Sequence, residues 1–275
     1  MGPITQLRLP RSRQRATGDL VNELLLLLAG LLGGAVNTLA GGGSFIVFPA
    51  LLMVGVPPVL ANASNTYAAL PGYMSGAYGL RKQMMEQRHL FLPYGIVSAI
   101  FGYIGAELLL RVSDAQFSLV VPWLMLFAVV LFIFGGRINA FVAARAGTSR
   151  GAKAAGTAIL YVMLAGVAVY GGFFNAGLGV LLLAFLTLAG IANIHAANGL
   201  KLFMSSVIAL VAVVRFLFAG SIDWYHGTIA LVGVTTGAYI AARLATRIPT
   251  GIIRAMVIVY GVGITIYFFW KEYAA

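Results

Sequence analysis

Cysteine is absent from this chain and acidic residues nearly so, with seven Asp and Glu against 18 Lys and Arg in 275 residues. The first absence removes disulfides, thiol nucleophiles and thiolate metal sites. The second leaves little material for paired-acid catalysis, and the three histidines, His89, His195 and His226, stand far apart in sequence. No G-x-x-x-x-G-K-[ST] run occurs, so nothing in the sequence supports nucleotide-driven pumping by this chain alone.

What the chain has instead is apolar length. Hydrophobic residues make up 61% of it and charged ones 9%, and its apolar runs repeatedly exceed the roughly 20 residues that span a bilayer. No soluble domain is left over. The net charge of +11 is carried by Lys and Arg at the ends of apolar runs, which is the pattern of loops facing the cytoplasm and anionic headgroups rather than nucleic acid.

The runs fall into two similar series. The first comprises Leu20 to Leu39, Phe45 to Val56, Pro58 to Leu80, Leu90 to Leu110 and Leu119 to Phe134. The second comprises Ala155 to Tyr170, Leu178 to Leu188, Ala192 to Ala219, Trp224 to Leu244 and Ile252 to Trp270. Phe45 to Val56 and Leu178 to Leu188 are too short to cross easily, so each reads as a tilted short span or one arm of a re-entrant hairpin. The expected fold is an all-α integral membrane protein of about eight to ten membrane segments. Its divisions are a basic tail over 1–18, a first repeat over 19–136, a cytoplasmic linker over 137–154 and a second repeat over 155–275. The first run, preceded by Arg8, Arg11, Arg13 and Arg15, also resembles a signal peptide. Its glycine motif recurs internally, so it is assigned to the folded repeat.

Three pairs of motifs support a duplication. Gly33-Gly34-Ala35-Val36-Asn37 is echoed 138 residues later by Gly171-Gly172-Phe173-Phe174-Asn175. Ala61-Asn62 returns as Ala197-Asn198, and Tyr103-Ile104-x-Ala106-x-Leu108 as Tyr239-Ile240-x-Ala242-x-Leu244, both at an offset of 136. Equivalent loops carry opposite charge bias: Arg81, Lys82 and Arg88 correspond to a turn holding Asp223, and the nearly neutral turn Arg111 to Phe117 to one holding Arg243, Arg247 and Arg254. The positive-inside rule converts that swap into inverted halves. The arginine-rich tail points the other way, toward a parallel duplication.

Each echo opens a glycine-rich break inside an apolar run. Broken backbone at membrane depth is tolerated only where it is buried in protein or lines a cavity, and paired breaks point to a transporter's binding site. Gly41-Gly42-Gly43-Ser44 lets backbone pass close to a ligand, with the helix that begins near Phe45 aiming free N–H groups back into the break; Gly177-Leu178-Gly179 does the same in the second half. Gly30, Gly102 and Gly237 read as packing glycines.

Among ionisable residues inside the runs Lys201 stands out. It follows Asn198 by one helical turn, and Asn62 and Asn65 hold the aligned positions of the first half. With Ser44, Ser64 and Thr66 these form a donor-rich lining without carboxylates, which suits an anion. The competing reading of Lys201 is an interfacial lysine that snorkels. Asn37 and Asn175 either cap the broken helices or touch the ligand. Arg215 reads as snorkelling, Glu107 as an interfacial partner of Arg111 at i+4, and His195 as structural.

The run Gly41 to Leu52, the turn Gly55-Val56-Pro57-Pro58, the stretch Ala61 to Thr66, Ala197-Asn198-Gly199-Leu200-Lys201 and Ser221-Ile222-Asp223-Trp224 resemble the TauE/SafE family of sulfite and sulfonate exporters, over Leu20 to Trp270. The resemblance implies a multi-pass permease of the bacterial inner membrane with two homologous halves, handling sulfite or an organosulfonate such as sulfoacetate. The expected function is therefore secondary transport of a small sulfur oxyanion, sulfite first, by alternating access between the halves; a passive anion channel is the alternative. The expected binding residues are Lys201, Asn62, Asn65, Asn198, Ser44, Ser64, Gly42, Gly43, Asn37, Asn175, Gly177 and Gly179. No enzyme activity, catalytic residue, metal or cofactor is expected. The expected partners are the anion and the lipid bilayer, with a homo-oligomer left open and no nucleic acid.

Overall fold

The computed structural model describes the backbone of residues 11–39, 41–145, 153–191, 193–244 and 250–274, and the side chains of 18–38, 41–134, 157–191, 193–241, 243 and 255–274. All regular structure among them is helical. The helices are α1 (Arg11–Leu39), α2 (Ser44–Met53), α3 (Pro58–Gly79), α4 (Arg81–Met85), α5 (Phe91–Leu110), α6 (Asp114–Arg145), α7 (Lys153–Phe173), α8 (Leu178–Leu188), α9 (Ile194–Phe218), α10 (Trp224–Leu244) and α11 (Thr250–Tyr273).

Among the described residues, five segments are long and apolar enough to cross a membrane: Gly18–Thr38, Arg88–Leu110, Asp114–Phe134, Ile194–Phe218 and Ala255–Tyr273. Three apolar helical segments are shorter, Ser44–Met53, Thr157–Phe173 and Leu178–Leu188. The outward faces are apolar too, with Leu24 and Leu32 of α1, Ile100 of α5, and Val259 and Ile266 of α11 all exposed. Greasy surface on this scale belongs in lipid. The helices overrun two boundaries expected from the sequence, because α1 already begins at Arg11 and α6 continues to Arg145. Alanine and arginine are good helix formers, and both extensions are rich in them. The middle of the expected linker, 146–152, lies outside the described residues.

Distant capping groups fix where helices start. Proline at the first position of α3 needs no N–H partner, and the next free N–H, on Val59, donates to Asp114 Oδ1 at 2.8 Å. Asn193 accepts from the N–H groups of His195 and Ala196 at the start of α9, and Asp223 from that of His226 at the start of α10.

Pairwise contacts give each helix its direction. α10 runs parallel to α1, with Tyr225 in the first turn of α10 bonded to Glu23 and Gly237 against Leu31 further along. α3 runs the same way, since Ser64 Oγ accepts the N–H of Asp223 at 2.9 Å and Tyr67 packs edge-on against Trp224. α9 runs opposite to α3, placing Leu202 on Gly76 and Ala209 beside Ala69 and Tyr73. α5 follows α9, with Gly95 facing Phe203, Gly102 facing Ile208 and Glu107 reaching Arg215. α7 follows α5, through Tyr94 on Tyr161 and Gly105 against Val169. Consequently Arg81, Lys82, Arg88 and Arg243 lie toward one end of the bundle, while Glu23, Glu107, Asp114 and Asp223 lie toward the other.

The short helices α2 and α8 turn back on their predecessors. α2 returns along α1, with Val47 on Gly33, and α8 returns along α7, with Leu178 on Gly171 and Phe185 on Tyr94. The α1–α2 hairpin therefore enters from the acidic end and the α7–α8 hairpin from the basic end. Their tips meet inside the bundle, where Phe48 and Phe174 pack edge to face at 5.5 Å.

Candidate anion site between two broken helices

The first tip is built by glycine. Gly41 takes φ +69° and its N–H caps α1 by donating to the carbonyls of Val36 and Asn37, the conformation that glycine adopts without strain. Gly42 has φ +131°, and its N–H meets Asn37 Oδ1 at a long 3.5 Å. In the second tip Gly177 takes φ +80° and starts α8.

Between the tips and the facing sides of α3 and α9 lies a narrow crevice. Seven of the expected residues line it: Asn37, Gly42, Ser44, Asn175, Gly177, Gly179 and Lys201. Gly43 and Asn65 line a smaller adjoining chamber, to which Asn37 and Ser44 also contribute. Asn198 stands behind the site and accepts a hydrogen bond from Lys201 Nζ at 3.0 Å. Two expected residues lie elsewhere. Asn62 Nδ2 donates to the Phe173 carbonyl at 2.8 Å, holding the end of α7, and Ser64 is engaged by the start of α10.

The glycines divide by what a side chain would meet. At Gly43 a Cβ would stand 2.9 Å from that of Asn37 and against the Gly33 carbonyl, so this glycine lets α2 pack on α1. At Gly177 it would stand 2.9 Å from the Ala128 Cβ. At Gly179 the nearest atom is Lys201 Cδ, at 3.7 Å, so the missing side chain there leaves the lysine stem its room. Gly30, Gly102 and Gly237 are packing glycines as expected, each pressed against a neighbouring helix backbone.

Tyr73 and Ser205 join the site without having been singled out from the sequence. The Tyr73 hydroxyl donates to Asn175 Oδ1 at 3.1 Å, which fixes that amide and leaves Asn175 Nδ2 buried with no partner. Ser205 follows Lys201 by four residues on the same face of α9, which is the spacing that could have revealed it.

Lys201 is the one formally charged residue on the lining. An ammonium has three donors, and the single hydrogen bond it makes here goes to a neutral amide. The acidic residues are placed elsewhere: Glu107 bonds Arg111 at 3.1 Å and Arg215 at 2.7 Å, Asp223 bonds His226, Asp114 caps α3, Glu86 meets Asn193 and Glu23 meets Tyr225. Asp19 and Glu272 complete the seven and do not line it. Arg215, read from sequence as snorkelling, is instead ion-paired with Glu107 across α5 and α9. His195 lies exposed at the start of α9, away from the crevice.

Helices with apolar outer sides packed around a donor-lined crevice are those of a multi-pass membrane protein. Residues 26–268 match the model of the Sulfite exporter TauE/SafE family, and the chain belongs to that family. A "Probable membrane transporter protein" of Haemophilus influenzae is 29% identical over 248 residues, covering 88% of this chain and 92% of the relative. One from Sinorhizobium sp, ORF9, is 26% identical with 90% and 93% covered, and Escherichia coli K12 YfcA is 25% identical with 86% and 85% covered. No solved structure matches the chain significantly.

Proposed function

We propose that the protein is a secondary transporter of small sulfur-containing oxyanions, sulfite first, exporting them across the bacterial inner membrane. The observation that carries this reading is the lone Lys201 ammonium sharing, with the unpaired Asn175 Nδ2, an interior crevice lined by no carboxylate. Lys201 supplies the charge. Asn175, Ser44 and Ser205 donate to the oxyanion, and the backbone of the second tip approaches it at Gly179. Asn198 steadies the lysine and Tyr73 orients the Asn175 amide. Two hairpins entering from opposite ends support two inverted halves, with access alternating at the meeting of their tips.

Flux of radiolabelled sulfite into vesicles carrying the purified protein tests this. A transporter gives a rate that saturates with sulfite and is competed by related oxyanions; flux rising without limit would make the protein a channel. An organosulfonate that competes more strongly than sulfite would replace sulfite as the substrate.

The basic end should face the cytoplasm. Single cysteines placed at Gln83 and Thr250 of this cysteine-free chain should both be protected from an impermeant thiol reagent in intact cells and react once the cells are opened. Labelling of position 250 but not 83 from outside would contradict the inverted arrangement.

A further inference from the structure

We propose that the chamber beside the crevice is a second anion subsite, made of neutral donors, into which the anion steps on leaving Lys201. The inference rests on the transport reading above. Asn65 is 2% exposed and lines this chamber, yet its Nδ2 has no hydrogen-bond partner. A buried amide donor without a partner is rare in folded proteins and calls for an occupant. Asn37 and Ser44 line both spaces, so the two adjoin.

The lining repeats that of the crevice with its charge removed. Asn37, Gly43, Asn65 and Ala69 of the chamber stand 138, 136, 136 and 136 residues before Asn175, Gly179, Lys201 and Ser205 of the crevice. Lysine is thus replaced by asparagine and serine by alanine at matching places. A neutral N–H holds an oxyanion more weakly than an ammonium does. That is the order a moving anion needs, since conduction requires sites weak enough to leave. No carboxylate lines the chamber to repel the anion.

Equilibrium binding of radiolabelled sulfite to the purified full chain tests the subsite. The wild-type protein should bind in two phases, one tight and one weak. Lys201→Met should remove the tight phase, and Asn65→Leu the weak phase while leaving the tight one within about twofold. Ala69→Ser, which adds a hydroxyl where the crevice has Ser205, should tighten the weak phase about fivefold and guards against misfolding of the leucine variant. A single phase indifferent to both substitutions overturns the proposal and leaves water as the occupant. A tight phase that survives Lys201→Met overturns the crevice assignment instead, and absence of all binding overturns both.

Discussion

Lys201→Met should lower the affinity of the purified protein for sulfite at least tenfold while leaving its thermal transition at or above that of the wild type. A hydrogen bond to a charged group contributes about 1.5–3 kcal/mol, and each 1.4 kcal/mol is about a factor of ten in binding. Methionine fills nearly the same volume along Gly179, where the lysine stem lies 3.7 Å from the position a Cβ would occupy. Folding loses little by the change, because a half-buried ammonium whose hydrogen bond goes only to the Asn198 amide is a liability without its anion. The pair of readouts separates function from structure. If the lysine served only to brace α9, the transition temperature would fall and anion binding, where measurable, would persist.

The largest loss of stability is expected from Gly237→Leu. A Cβ at this position would collide with the Leu31 carbonyl and lie 2.8 Å from the Leu31 Cα, backbone atoms that cannot rotate away. The same seam includes Gly30, whose Cβ would stand 2.6 Å from the Ala230 carbonyl oxygen, and Gly233, at 2.5 Å from that of Leu27. α1 and α10 approach closely because small residues line both, the usual device for helix association in lipid. Overpacking costs about 1–3 kcal/mol where side chains can yield and more where they cannot, so the thermal transition should drop by at least about 5 °C. Gly263→Leu on α11, where nothing lies within 4 Å, is the matched control and should be neutral. Equal behaviour of the two variants would contradict the packing described for this seam.

The two short apolar runs were legible as tilted short spans or hairpin arms because a length that cannot easily span leaves few alternatives, and α2 and α8, which follow them closely, fold back on their predecessors as the second of these. The pairing of Asn198 with Lys201 was legible because three residues apart on a helix means neighbouring side chains. The roles of Asn62 and Ser64 were not. Both sit on α3 near Asn65, but depth along a helix decides which neighbour each side chain meets, and depth depends on how α7 and α10 dock. Asn62 therefore reaches the Phe173 carbonyl, 111 residues away, and Ser64 the Asp223 N–H, 159 away. Tyr73 escaped notice for a related reason: a tyrosine eight residues beyond Asn65 looks like a membrane-interface anchor until α7 brings Asn175 to its hydroxyl. The partner of Arg215 lies 108 residues earlier in the chain, beyond the reach of local spacing.

Selenite, a heavier analogue of sulfite, offers the most direct measurement because its position can be read from anomalous scattering in crystals of the unaltered protein. A selenium peak should appear between the two hairpin tips, within hydrogen-bonding reach of Lys201 Nζ and Asn175 Nδ2, and should vanish in Lys201→Met crystals. A peak confined to the arginines paired with Glu107, or a crevice peak that persists without the lysine, would contradict the assignment of this crevice as the anion site.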